Sequence, residues 1–341
     1  MRGEQVVVKQ QPSVMHKLII AGCGGISHIW FKEAVERENC EIVALVDINT
    51  DAAEAKKEEY SLANVNIYSS IEAALENEDA NLVFDITIPE AHSDTVTKSL
   101  DAGCNVFGEK PMSDLIEDAE KMVKHVEKSG MEYFVMQNYR YNPQQIALKK
   151  FLESQKLGKV GQISATFRKN PHFGGFRDEM DSPLLADMSI HTFDSARYII
   201  NKNPISVFCH EFNPSWSWYK GNANAVCIFE MEDGVIFDYN GSWCANGYNT
   251  SWNSEWSVAC TDGSVYWDGA EKLYYVPTDG EPVDIHIDSM DKEGHSACIR
   301  EMFDCLEKGK RPPTDCRDNI HSMRMVHKAI ESTKHKKLIK F

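Results

Sequence analysis

Short β-branched runs, each followed by a helix-like stretch, constrain this chain more than any other feature of its sequence. Lys17–Ala21, Glu41–Val46, Asn81–Ile86, Asn105–Phe107 and Glu132–Val135 read as strands, and helical patterns follow the first four. A strand can return parallel to its predecessor only through a crossover. The alternation therefore predicts a parallel sheet wound with helices on both faces. Leu82-Val83-Phe84-Asp85-Ile86 is nearly all apolar, as befits a strand covered on both sides.

Beyond about Tyr139 the pattern changes. A helix over Pro143–Ser154 precedes a strand over Gln162–Arg168, a Gly- and Pro-bearing loop over Lys169–Ser182 and a helix from Leu184 to Ile199. Asp233-Gly234 and Asp262-Gly263 lie between apolar runs, and Asp279-Gly280 is a third such pair. These dipeptides supply the positive φ that hairpin turns require. We expect a second domain with about six mostly antiparallel strands and helices on one face. Helices over Met290–Glu307 and Cys316–Lys334 close it, before a basic end beside a short apolar strand. Residues 1–16 are polar, contain Pro12 and fit no period, so they read as an N-terminal extension.

The chain has 341 residues, enough for two domains at roughly 100–200 residues each. Its 36 Lys and Arg against 52 Asp and Glu give a net charge of −16. That excess repels a phosphate backbone and an anionic membrane, so neither nucleic acid nor membrane is an expected partner. No run approaches the ~18 apolar residues of a span, and the first residues lack a signal peptide's apolar core, so a cytoplasmic protein is expected. Ten dispersed Cys without a Cys-x-x-Cys pair suggest reduced thiols and no metal site.

The first strand runs into Gly22-Cys23-Gly24-Gly25-Ile26-Ser27, and a helical stretch His28–Arg37 follows. This is Gly-x-Gly-x-x-Ser. The glycines permit a tight turn and let backbone N–H groups of the Gly22–Ser27 segment approach a pyrophosphate, which the helix N-terminus also attracts. Asp47 closes the second strand, where a carboxylate can accept both hydrogen bonds of a ribose diol and would repel a 2′-phosphate. NAD is thus favoured over NADP. Two other clusters carry chemistry. Gly108-Glu109-Lys110-Pro111 follows a strand of the parallel sheet, at the carboxyl edge where such folds bind ligands. Asp187 and His191 are four apart on an expected helix, a spacing that would couple an acid and a base on one face.

Together with Thr87-Ile88-Pro89-Glu90-Ala91-His92 and Asn138-Tyr139-Arg140-Tyr141-Asn142-Pro143, these motifs resemble the Gfo/Idh/MocA oxidoreductase family in order and spacing from Lys17 to the C-terminus. The resemblance implies a Rossmann domain at 17–138 and a substrate-binding and oligomerising α+β domain with an open, mostly antiparallel sheet at 139–341. It implies Lys110, Asp187 and His191 as catalytic residues, with a cis Lys110–Pro111 bond. It places Thr87, Pro89, His92, Glu109 and Lys110, beside Gly22, Gly24, Gly25, Ile26, Ser27 and Asp47, around the cofactor. Lys110, Arg140, Asp187 and His191 would face the substrate, and Asn170 and His172 come from a loop able to reach it.

His191 would take the proton of a hydroxyl whose carbon loses hydride to NAD, Lys110 would stabilise the alkoxide, and Asp187 would orient or polarise the site. The expected substrate is a sugar, polyol or glycoside, with C3 of a glucoside as one candidate position. The alternatives are a redox-assisted glycoside-cleaving enzyme with tightly held NAD and a nonenzymatic NAD-binding regulator. Trp216, Trp218, Trp243, Trp252 and Trp256 gather in the second domain. Aromatic residues in a sheet serve as core or interface, and subunit interface is the expected use of most of these in a homo-oligomer, a dimer or tetramer.

Overall fold

The computed structural model describes residues 14–341, so positions 1–13 of the expected extension lie outside the described residues. Two compact units divide the chain, and both are discontinuous. The first takes the described residues through Glu109 together with Lys121–Met136 and Ile299–Asp315. The second comprises Lys110–Glu120, Gln137–Cys298 and Cys316–Phe341. The sequence suggested one change of unit near residue 138; the chain instead crosses several times.

The first unit holds β1 (His16–Ala21), α1 (Ser27–Val35), β2 (Cys40–Val46), α2 (Thr50–Glu59), β3 (Asn66–Tyr68), α3 (Ile71–Asn77), β4 (Leu82–Asp85), α4 (Pro89–Asp101), β5 (Asn105–Gly108), most of α5 (Ile116–Ser129) and β6 (Tyr133–Val135). Its six strands are all parallel, in the order β3-β2-β1-β4-β5-β6. This is the doubly wound Rossmann order, with its switch point between β1 and β4. β3 was not anticipated, because three half-exposed residues carry no period.

Leu18, Ile19, Ile20, Val83 and Phe84 are completely buried, which accounts for strands without alternation. Phe303, from the far C-terminal part of the chain, packs 5.9 Å from Phe84 and 5.2 Å from Phe107 between ring centroids. Nearby, Val135 N–H donates to Thr314 O at 2.9 Å. Residues 299–315 thus complete the core of this unit.

The second unit holds α6 (Pro143–Glu153), β7 (Val160–Arg168), α7 (Phe176–Glu179), α8 (Ile190–Ile200), β8 (Pro204–Phe212), β9 (Asn224–Met231), β10 (Ile236–Ser242), β11 (Glu255–Cys260), β12 (Gly263–Trp267), β13 (Leu273–Pro277), β14 (Val283–Asp284), the first turn of α9 (Gly294–Glu307), α10 (Cys316–His335) and β15 (Ile339–Lys340). Its sheet has nine strands rather than about six, in the order β14-β13-β12-β11-β7-β10-β9-β8-β15. All neighbours are antiparallel except β7 and β10. The edge strands β14 and β15 have two residues each and are too short to show a pattern. At the β9–β10 turn Asp233 and Gly234 adopt φ of 59° and 74°, the geometry expected of that pair.

One face of this sheet is covered by helices, where Phe193 of α8 packs edge-on against Phe229 and Tyr239 at 4.9 and 5.2 Å. Trp243 and Trp256 are fully buried in that core. They are packing residues, so the subunit contact expected of most of these tryptophans does not extend to these two. On the opposite face Ile205, Phe208, Phe212, Val226 and Ile228 are exposed.

The expected single helix over Leu184–Ile199 is two elements, a π turn at Leu184–Ser189 and then α8. Such wide turns recur at functional sites. Among the described residues, no helix is long and apolar enough to cross a membrane.

Candidate active site

In the first unit, the glycine loop leaves β1 at the switch point. Gly22 has φ +97°, and a Cβ there would lie 2.3 Å from the carbonyl oxygen of Ile86, just after β4. Only glycine permits that approach. Gly24 and Gly25 have no atom within 4 Å of where a Cβ would stand, so the loop presents bare backbone to open space. Ser27 begins α1 and its Oγ donates to Gly24 O at 2.6 Å. Ile26 provides no side-chain cap, although Ser27 N–H turns back to Gly24 O at 3.1 Å; a helix N-terminus without a side-chain cap suits an anion. Asp47 Oδ2 accepts from Cys23 N–H at 2.8 Å, and Oδ1 accepts from Asn49 N–H at 2.8 Å. The carboxylate therefore stands against the loop while remaining partly exposed. The open cradle, the uncapped helix and this carboxylate fit a dinucleotide.

Past β4, Asp85 organises the next segment. Thr87 Oγ1 donates to Asp85 Oδ1 at 2.6 Å, and His92 Nδ1 lies 2.8 Å from Asp85 Oδ2. Pro89 starts α4, where its missing N–H costs nothing. Burial opposes charge on His92, but Asp85 outweighs it and raises the pKa. His92 Nε2 is buried without a hydrogen-bond partner. Glu109 at the end of this unit accepts from Trp30 Nε1 at 2.8 Å.

In the second unit, Lys110 follows with a cis bond to Pro111, as the resemblance implies. Lys110 Nζ donates to the backbone oxygen of Asp187 at 3.3 Å. His191, in the first turn of α8, is 6% exposed. Its ring stacks on Tyr139 at 4.3 Å between centroids and 17° between planes, and its Nδ1 has no hydrogen-bond partner. Burial, then the charge of Lys110, then His295 hold the His191 pKa well below the ordinary imidazole value. The result is a neutral, sequestered imidazole within electrostatic reach of an ammonium.

Two expectations need correction. Asp187 and His191 do not form the coupled pair their spacing suggested. The Asp187 carboxylate instead accepts from Arg177 Nε at 2.8 Å, because the π turn and α7 bring that guanidinium to it. Arg140, expected to face the substrate, is enclosed in an ion cluster. It is buried, bonding Asp194 at 2.7 and 2.6 Å and Asp318 at 2.6 Å. Burial disfavours its charge, but the two carboxylates overcome this and raise its pKa.

Asn170 is exposed, and exposed His172 stacks on Trp218 at 3.7 Å. That loop is anchored by Tyr219 Oη, which donates to Pro171 O at 3.3 Å. Sequence reasoning gave no role to Tyr139, Arg177 or His295. Tyr139 stood inside a recognised motif, whereas Arg177 and His295 carried no local signal.

The doubly wound sheet with its open glycine cradle, and a second unit presenting an amine and a neutral imidazole, define a dinucleotide-dependent oxidoreductase. Residues 16–137 match the profile described as oxidoreductase family, NAD-binding Rossmann fold, and residues 146–266 match the GFO/IDH/MocA C-terminal domain. The chain belongs to the Gfo/Idh/MocA oxidoreductases, and its N-terminal domain is an NAD-binding Rossmann domain. An uncharacterized protein of Sinorhizobium fredii is 24% identical over 94% of both chains. Inositol 2-dehydrogenase of Rhizobium meliloti is 28% identical over 55% of this chain and 56% of its own. Among solved structures, an oxidoreductase from Agrobacterium radiobacter in complex with NAD+, L-tartaric acid and magnesium superposes with a TM-score of 0.86 at 18% identity, covering 96% of this chain and 98% of the other.

Proposed function

We propose that this chain is an NAD-dependent dehydrogenase or reductase acting on a ring CH–OH of a sugar, polyol or glycoside, C3 of a glucoside being one candidate. The observation carrying this reading is His191: buried, neutral, with an unpartnered nitrogen, and under the influence of the Lys110 ammonium. The inositol dehydrogenase relative supports a polyol substrate.

When bound, NAD supplies the hydride acceptor. The chain's own residues handle the proton. His191, neutral at physiological pH, takes it from the hydroxyl, and Lys110 donates a hydrogen bond to the same oxygen as negative charge grows there. Asp187 acts through its main chain, whose carbonyl orients Lys110. Asp47 holds the ribose diol and disfavours a 2′-phosphate. Glu109 is bonded covalently to Lys110, so the cofactor-side and substrate-side residues adjoin in the chain. The exposed apolar side chains of β8 and β9 support a homo-oligomer built on the open sheet.

The test is a screen of monosaccharides, inositols and glycosides for absorbance of reduced nicotinamide, with NAD and NADP in parallel. NAD-dependent reduction with a cyclic polyol or sugar is expected. Sugar release without accumulated NADH would point to glycoside cleavage, and NAD binding without any turnover to a regulator.

A further inference from the structure

A catalytic base works only if its ring is held. In such sites a carboxylate or carbonyl usually bonds the imidazole nitrogen remote from the substrate, setting its tautomer and orientation. His191 lacks that support. Its Nδ1 has no hydrogen-bond partner, and the Asp187 carboxylate four positions earlier accepts instead from Arg177 at 2.8 Å. The contact it does have is aromatic: the Tyr139 ring lies face to face with it, 4.3 Å between centroids and 17° between planes.

The backbone that carries Tyr139 is fastened to the same helix as His191. Arg140, the next residue of the 3₁₀ turn Asn138–Tyr141, donates from Nε and Nη2 to the two carboxylate oxygens of Asp194 at 2.7 and 2.6 Å. Asp194 follows His191 by three positions on α8, so both contacts fall on one face of that helix. Further on, the Asn142 side chain caps α6 by accepting from the N–H groups of Gln144 and Gln145 at 3.0 and 3.2 Å. Tyr139 cannot slide off the imidazole without breaking the buried Arg140–Asp194 pair.

Resting on the reading of His191 as the base, we propose that Tyr139 is its positioning residue, fixing the imidazole by ring stacking where such sites ordinarily use a hydrogen-bonding carboxylate. The substitution has a chemical consequence. A carboxylate beside His191 would favour its charged form and fill the base before the substrate arrives. An uncharged ring orients the imidazole and leaves it neutral. Once His191 has taken the proton, the tyrosine face attracts the imidazolium weakly, as a π system attracts a cation within ~6 Å. The other groups acting on His191 are Lys110 from the segment after β5 and His295 from α9, and both oppose its charge. The nearest carboxylates along the chain are engaged, Asp187 by Arg177 and Asp194 by Arg140.

Tyr139→Leu keeps the bulk and removes the π face, whereas Tyr139→Phe keeps the ring and removes only the hydroxyl. In polyol oxidation the Leu variant should lose about three- to tenfold in kcat, with KM and NAD affinity near wild type, and the Phe variant should restore the rate. The acidic limb of kcat should move to lower pH by about half a pH unit in the Leu variant and stay in place in the Phe variant. With histidine-labelled protein, NMR should show ring-current displacement of the His191 ring protons in the wild type and the Phe variant and its loss in the Leu variant. Tyr139→Met serves the same comparison if the Leu variant does not fold. A Leu or Met variant with wild-type kcat and pH limb overturns the proposal, as does a Phe variant impaired as much as they are, which would assign the effect to the hydroxyl. If the unmodified protein oxidises no polyol, the proposed function fails, and the ring-current displacement and His191 titration in the same variants still decide whether Tyr139 holds the imidazole.

Discussion

Asp187 bonds two cations with different parts of itself: its carboxylate accepts from Arg177 Nε at 2.8 Å and its carbonyl accepts from Lys110 Nζ at 3.3 Å. Arg177 also lies 4.7 Å from the Phe176 ring centroid, so the pair ties α7 to the π turn whose carbonyl meets the Lys110 amine. Arg177→Gln should change stability by less than about 1 kcal/mol, since the guanidinium is partly exposed. It should raise KM for the polyol several-fold more than it lowers kcat. Steady-state kinetics alongside thermal denaturation checks this, and an unchanged KM removes Arg177 from substrate positioning.

Lys110→Ala removes the donor to the developing alkoxide. A turnover loss of ~10²–10³-fold is expected, while NAD affinity measured by fluorescence titration stays near wild type. Unaltered turnover would exclude Lys110 from the chemistry.

The pH behaviour follows from His191. Its folded pKa lies well below 6.5, so the basic form is already populated at pH 6.5, and the acidic limb of kcat for oxidation should fall below that value. Lys110→Met removes a charge that lowers this pKa, so its residual activity should show the limb displaced to higher pH. The linked stability has a definite sign. Between the folded pKa and 6.5 the unfolded chain binds more protons, so stability declines as pH drops through that window. His191→Phe should weaken that decline, as measured by urea denaturation across the range.

Asp47→Ala should weaken NAD binding and relax discrimination against NADP. Because Asp47 Oδ2 also accepts from Cys23 N–H, the variant loosens the glycine loop, and NAD should lose more affinity than NADP does. Equal losses for the two cofactors would refute the contact to the ribose.

Arg140→Ala leaves Asp194 buried without its main partner, and a loss of about 3–5 kcal/mol is expected. Asp318 reports on the same cluster: burial pushes its pKa up, but Arg140 and Arg197 bring it down to about 2. Its folded pKa is thus below the ordinary ~3.9, so its contribution is present above that value and lost as pH falls toward 2. Asp318→Asn should flatten acid denaturation over that interval. An Arg140 variant with normal stability and an impaired KM would return this residue to the substrate.

The sequence by itself determined the local elements and the motifs attached to them. The strands β1, β2, β4, β5 and β6 were legible because both faces are buried and the runs are apolar. The glycine loop and the Asp233-Gly234 turn were legible because backbone conformation demands particular residues there. Only the tertiary structure decided which polar groups meet. Arg140 finds its carboxylates 54 and 178 positions away, Arg177 takes the Asp187 carboxylate that helical spacing assigned to His191, and residues 299–315 return to complete the first core. A charged side chain is stabilised by whatever partner folding brings within ~4 Å, and no local pattern encodes that partner.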